Sequence, residues 1–411
     1  MNTNTPLTRP LDTASPAVHV IASPKSWIEG EAVRQLYATA RLAGVRLAVG
    51  FPDLHPGKGT PVGAAFVTED VIYPYLIGGD VGCGMALFKT NLLRREVKLD
   101  RWAALRFNLE HPWDEDISEV LAAHELESTD FDTALGTIGG GNHFAELQAV
   151  HQIIDAAEFK SVGIGKEQLV VLVHSGSRGL GETVLREHVD VHHGHGVPAD
   201  SFAAQEYLRG HDVAVRWARA NRALIARRFT EQLGAEAERV WDGCHNSITL
   251  SIRSSRGNEA LMDSEKTDAH EQAGDVSLLT SAATYVHRKG AVAADIAPIV
   301  IPGSRGALSY LVKPIGDGAS HAWSLAHGAG RKWSRSETRL RMRERFGVME
   351  LVQTALGGRV ICEERDLLYE EAPAAYKNIA AVVQDLVDAG LISVIATFRP
   401  LLTYKTRKAR R

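Results

Sequence analysis

Residues 78–85, GGDVGCGM, place a carboxylate, Asp80, and a thiol, Cys83, three positions apart among glycines and apolar residues. Glycine at this density costs backbone entropy, and it suits places where a chain turns tightly or closely approaches another group. A carboxylate and a thiolate brought together are donors for a borderline transition metal. Alone, Cys83 reads equally well as a small buried hydrophobe. Three histidines share its setting beside glycine turns or at the ends of apolar runs: His143 in GTIGGGNHFAEL, His174 in LVVLVHSGSRG and His245 in WDGCHNSITLS. Each one singly reads as a structural residue. Together with Asp80 and Cys83 they make one carboxylate, one thiol and three imidazoles. That is more than the four donors of a closed zinc site, and the scatter from 80 to 245 is unlike the tight pairs of a zinc finger. A thiolate can bridge two ions, so two metals sharing Cys83 are the natural hypothesis.

A second set points to phosphate. SGSRG (175–179), PGSRG (302–306) and HGAGR (327–331) each put an arginine, Arg178, Arg305 or Arg331, beside small residues in a turn. Exposed backbone N–H groups and a guanidinium suit phosphate oxygens. His327 sits among small neighbours that leave its ring open, and histidine can act as a covalent nucleophile. FPDLHPGKG adds Asp53, His55 and Lys58. GTIGGGNH lacks the G-x-G-x-x-G spacing of a dinucleotide fingerprint. On residues alone, the chain reads as a metal-dependent enzyme acting on phosphates.

The elements that must position these groups are legible as short apolar runs at 62–67, 85–90, 169–173, 297–301, 359–363 and 393–398, which predict buried strands. Helical periodicity over 203–233 and 376–389 predicts two helices, the second stopping before Gly390. Strands and helices do not alternate, so the expected class is α+β, mixed, rather than a doubly wound parallel sheet. The expected layout is a polar N-terminal tail (1–16), one large domain (17–405) and a basic tail (406–411); the polar stretch 252–276 reads as a surface excursion. The net charge of −4 over 411 residues excludes a globally basic nucleic-acid coat. Any RNA contact then rests on local patches, the tail YKTRKARR and the stretch 331–346, which holds seven basic residues and two aromatics. The three cysteines form no C-x-x-C pair, which predicts a reducing, cytoplasmic compartment. No signal peptide or membrane span is expected.

In order along the chain, PDLHPGKG, GGDVGCGM, GTIGGGNHFAEL, HSGSRG, the HN pair at 245–246, HRKGA, IPGSRGALSYLV, AHGAGRKWSR and EAPAAYKNI resemble the motifs of the RtcB-type RNA-splicing ligases. The match runs from about residue 45 to 405. The wording of PDLHPGKGTPVGAAF, SLAHGAGRKW and RPLLTYKT is most similar to the branch coupled to peptide release factor H. The resemblance implies a fold of β-sheets packed with helices around a central metal and nucleotide cleft. It implies a GTP- and Mn2+-dependent enzyme that joins an RNA 3′-phosphate or 2′,3′-cyclic phosphate to a 5′-hydroxyl, acting on broken tRNA or rRNA. His327 would carry GMP. Asp80, Cys83, His143, His174 and His245 would hold two manganese ions. Asn142, Glu146, Asn246, Ser304, Ser309, Gly328, Tyr376 and Lys405 would line the guanine nucleotide site, with Arg178, Arg305 and Arg331 as phosphate or RNA contacts.

Three features depart from the family pattern. The spacing from Cys83 to Asn142 is short, Cys244 stands where a histidine is common, and the chain runs on as KTRKARR. Two other readings use the same residues. A metal-dependent cyclic phosphodiesterase or phosphatase would need neither His327 as nucleophile nor a GTP site. A non-catalytic RNA-end or ribosome-binding protein would keep the basic segments and leave the five donors unexplained.

Overall fold

The computed structural model describes residues 15–251, 283–295 and 297–407. Most of the expected N-terminal tail, the 252–276 stretch and Lys408–Arg411 lie outside the described residues. The protein is a mixed α+β domain built on two sheets. The larger has eight strands, in the order 299–302, 309–314, 392–406, 144–153, 168–175, 84–93 and 237–244, with 359–362 added parallel to 392–406. The smaller has five, in the order 17–20, 45–55, 62–69, 284–289 and 246–251.

The strand Gln168–Ser175 shows why the layers stack as they do. Its run QLVVLVHS is buried almost throughout, so both faces of the sheet must be covered. Val170 and Leu172 face one way, packing with Val49, Phe51, Ala65 and Val67 of the smaller sheet. Leu169, Val171 and Val173 face the other way, against Ile225 and Phe229 of the long helix Phe202–Gln232. The helix Gly30–Ala40 covers the outer face of the smaller sheet through Ala32, Leu36 and Ala40. The order of layers is therefore helix, large sheet, small sheet, helix.

The long helix begins at Ser201, whose hydroxyl accepts from the Ala204 amide at 3.2 Å. Phe229 and Trp217 on it are fully buried, and each contributes about 1.5–3 kcal/mol by leaving water. Two strands differ from expectation at prolines. The 297–301 run pairs only from Ile299, since Pro298 offers no N–H. The 393–398 run extends to Thr406, passing Pro400 by a register shift between Pro400 and Leu402. That extension carries Thr403 and Lys405 into the site. Among the described residues no helix is long and apolar enough to cross a membrane.

Candidate active site

The proposed donors gather at one end of four adjacent strands of the large sheet. His143 immediately precedes Phe144–Ile153, and Phe144 is paired with His174. Cys83 precedes Gly84–Leu93, where Gly84 is paired with both Ser175 and Cys244. His245 stands between Cys244, the last residue of the large sheet's edge strand, and Asn246, the first residue of a strand in the small sheet. The chain changes sheets there. The backbone of this end is cross-tied: Gly82 N–H donates to Asn246 at 2.8 Å, His245 N–H to Cys83 at 2.8 Å and Ala291 N–H to His245 at 3.2 Å.

Two glycines show what GGDVGCGM and HSGSRG require. Gly82 turns at φ +73°, and a Cβ there would lie 2.9 Å from Val215 Cα of the long helix. A Cβ on Gly176 would lie 2.0 Å from the Asp80 carboxylate, so its hydrogen makes that oxygen's room.

Cys83 Sγ lies 3.4 Å from His143 Nε2 and 3.3 Å from His174 Nε2. His174 Nε2 is 3.3 Å from His245 Nε2, and His143 Nε2 is 3.1 Å from an Asp80 oxygen. His143 Nδ1 donates to the Ile138 carbonyl at 3.0 Å, which leaves the lone pair of Nε2 pointing at the thiol and the carboxylate. Burial pushes His174 and His245 well below the usual histidine range, and burial together with Asp80 pushes the Cys83 thiol well up. Burial alone would raise Asp80, but His143, Cys83 and Arg178 outweigh it and hold the carboxyl low. The neutral rings of His174 and His245, the His143 ring, a thiol and a carboxylate thus face one another, an arrangement that a shared cation satisfies. Cys83, His143 and His174 alone bring three donor atoms within 4.8 Å of one another.

His327 joins this cluster to a cavity of about 210 Å³. Its ring is centred 4.7 Å from that of His245. Its Nδ1 donates to Asp53 at 2.7 Å, and Asp53 is fully buried. Nε2 is the ring nitrogen left for other work. The cavity is lined by Asn142, Glu146, Ser304, Gly328, Tyr376 and Lys405 of the expected nucleotide set. Asn246 and Ser309 do not line it. Asn246 holds the backbone, donating to Asp80 O at 3.2 Å and accepting from Gly290 N at 3.0 Å. Ser309 stands behind the wall, accepting from Gln148, which in turn donates to Glu146 at 2.6 Å.

Burial raises Glu146 to about 7, against hydrogen bonds from Thr403 and Gln148 that pull it down. Burial lowers Lys405 to about 8. Lys405 lies 3.9 Å from Glu371, a buried carboxylate that also accepts from Arg331 at 3.0 Å and from the Tyr376 hydroxyl. Burial by itself would raise Glu371, but Lys405 and Arg331 carry it below its usual value.

The three turn arginines part company. Arg178 lies on the metal side with Asp80, with its own φ at +58°. Arg331 lines the cavity while bound to Glu371. Arg305 lines the same cavity but is buried, and its terminal nitrogens donate to the Glu371 and Leu368 carbonyls, both at 2.9 Å. Arg407 of the expected basic tail donates to Glu363 and to the Ala103 carbonyl, both at 2.8 Å.

Three supporting residues have roles that no motif assigns, although Asp53 is among the sequence candidates. Glu371 begins EAPAAYKNI but gains meaning only from the four partners folded around it. Asp53 sits in PDLHPGKG with no local sign of His327. Arg222 lies on the long helix, fully buried, and donates to the carbonyls of Gly82 and Ser175 at 2.9 Å each while pairing with Asp242 at 2.6 Å. It clamps the two turns that carry Cys83 and His174. The only signal for it was a charge on an otherwise buried helix face.

A soft-donor cluster opening onto a charge-lined cavity through an oriented histidine is the layout of an enzyme's active site. The family model for tRNA-splicing ligase RtcB matches residues 35–123 and 118–406. The chain is 43% identical over 402 residues to the RNA-splicing ligase RtcB2 of Escherichia coli, covering 97% of both chains. It is 28% identical to the tRNA-splicing ligase RtcB of Thermococcus kodakarensis, covering 90% of each. The chain belongs to the RtcB family of RNA ligases.

Proposed function

We propose that the protein joins RNA ends bearing a 3′-phosphate or a 2′,3′-cyclic phosphate to 5′-hydroxyl ends, using GTP and Mn2+ through a GMP adduct on His327. The observation that carries this reading is the His327–Asp53 pair, 2.7 Å long, beside the donor cluster and inside the cavity. Asp53 holds the proton on Nδ1, so the lone pair of Nε2 is free to attack. Attack on the α-phosphorus of GTP forms an N–P bond and breaks the bond to pyrophosphate, which leaves with the electron pair. The imidazolium that results lies against the Asp53 carboxylate. A 2′,3′-cyclic phosphate is first opened by water, which adds to phosphorus as the bond to O2′ breaks and leaves a 3′-phosphate and a 2′-hydroxyl. The 3′-phosphate then takes the GMP and frees Nε2, and the 5′-hydroxyl of the other strand, losing its proton, finally displaces GMP from the activated end.

Asp80, Cys83, His143, His174 and His245 would hold two manganese ions. Bound there, the metal supplies charge neutralisation for phosphate oxygens. Glu146 is placed to accept from guanine N–H groups, and Lys405 to donate near the base. The proposed substrates are broken tRNA or rRNA in the cytoplasm, with a functional link to peptide release factor H.

The test is incubation with GTP labelled at the α-phosphate and Mn2+, followed by denaturation. Acid-labile label on the wild-type chain and none on His327→Ala is expected. No label on wild type, with cyclic-phosphate RNA still hydrolysed, would replace the ligase by the phosphodiesterase reading.

A further inference from the structure

A second cavity, about 510 Å³, adjoins the first and shares three of its walls: His55, Arg331 and Arg335. It holds none of the metal donors. Two tryptophans line it, Trp27 and Trp333. Trp27 is 51% exposed, the larger part of an indole left in water without a packing reason. Lys377 fixes its place. The ammonium donates to the carbonyls of Pro52 and Leu54 at 2.9 and 2.7 Å, on either side of Asp53, and stands 5.9 Å from the Trp27 ring. Trp333 is braced by Arg341, whose guanidinium lies 4.6 Å from the ring centre, and by Lys332 at 5.6 Å. Cations therefore rim both rings, with Glu29 and Glu337 the acidic groups on the wall.

The wall between the cavities is itself suited to a polar, uncharged edge. His55 Nδ1 donates to the Asp53 carbonyl at 2.9 Å, which leaves Nε2 as an acceptor. Burial lowers the ring to about 4, so it stays neutral. Arg335 is half exposed and reaches Glu371 at 3.7 Å, so its guanidinium touches both compartments.

We propose that this second cavity is a subsite for an unpaired nucleotide of the RNA substrate, whose base stacks on Trp27 and Trp333 while Lys332 and Arg335 meet its phosphates. The proposal rests on the RNA-joining reading above and deepens it. Aromatic faces beside cations bind single strands with little regard to sequence, because every base offers a π-face. The volume falls in the range of about 300–1,000 Å³ usual for small-ligand sites. The position puts that nucleotide next to the cavity that holds His327.

The measurement is the affinity of fluorescently labelled single-stranded RNA for the full chain. Two strands are used, one ending in a 3′-phosphate and one beginning with a 5′-hydroxyl. Each is prepared intact and with abasic nucleotides next to the end. Trp27→Ala and Trp333→Ala should each weaken binding of one strand roughly tenfold, and Trp27→Phe should recover most of it. Abasic nucleotides should weaken that strand on wild type and have no further effect on the Trp27→Ala variant. Labelling of His327 by GTP should be unchanged in Trp27→Ala, which separates the two readings. Unlabelled wild type with a base-dependent Trp27 effect would overturn the ligase chemistry and keep the subsite. Full labelling, with both variants binding intact and abasic strands as wild type does, would overturn the subsite. Thermal melts of the variants guard against misfolding, and a folded Trp27→Ala alone suffices to decide.

Discussion

The two halves of the site handle charge in opposite ways. In the proposed metal half, Asp80, His143, Cys83, His174 and His245 form a chain of contacts 3.1–3.4 Å long, and each is a group able to donate to a cation. In the proposed nucleotide half, Glu371 already balances Lys405, Arg331 and Arg335 and accepts from Tyr376. One half is a set of like groups that a cation brings to rest. The other is a set of opposite charges that neutralise each other in the dark of the protein. A ligand entering the first adds a partner, whereas a ligand entering the second must exchange with partners already there. The metal half should therefore fail all at once, and the nucleotide half by degrees.

The largest expected effect follows from that difference. Cys83→Ala should remove bound manganese and all ligation while the fold survives, a loss beyond the roughly 10–100-fold that an outer-shell partner costs. Elemental analysis of the purified variant checks it, and full metal content would erase the contrast between the halves. Next comes the clamp beneath the donors. Arg222→Met takes the close partner from buried Asp242, leaving it only the Arg219 guanidinium at 3.9 Å, and frees the Gly82 and Ser175 carbonyls. A loss of about 3–5 kcal/mol of stability is expected in denaturant titration, together with lower metal content.

On the nucleotide side, Glu146 gives a graded and pH-dependent effect. Its folded value of about 7 lies above the ordinary 4.5, so the folded chain holds the proton more tightly than the unfolded chain does. Stability is thus favoured at low pH and is lost as pH rises through that window, by up to about 3 kcal/mol. Glu146→Gln should flatten this part of the stability profile. It should also narrow the preference for GTP over ATP in His327 labelling by roughly tenfold or more, the worth of a charged hydrogen bond. A sloping profile in the variant would show that another group titrates there. The smallest effect should come from deleting Lys408–Arg411. Three positive charges go, so the slope of log affinity for single-stranded RNA against log salt should fall by about two. An unchanged slope would show those charges to be idle.

The donors could be picked from the sequence because their types are unusual in apolar, glycine-rich company. The strand cores could be read because alternation and apolar runs are local signals. Asn246 and Ser309 sit one layer away from the cavity even though their motifs are part of the same set, since a motif names a turn and not the direction of each side chain. Glu371 and Arg222 escaped for the converse reason: charged residues earn their place through partners that lie far off in the chain.

By itself the sequence determined the residue types that gather at the site, the mixed α+β class and the length of the main helix. Tertiary structure alone decided that Asp53 meets His327 across 274 positions, and that His245 stands where the chain crosses from one sheet to the other. It also decided that two tryptophans face one cavity. Periodicity reports only which face of an element is buried. Which faces meet is set by sheet register and by the stacking of one sheet on the other, and neither leaves a mark within any one stretch of chain.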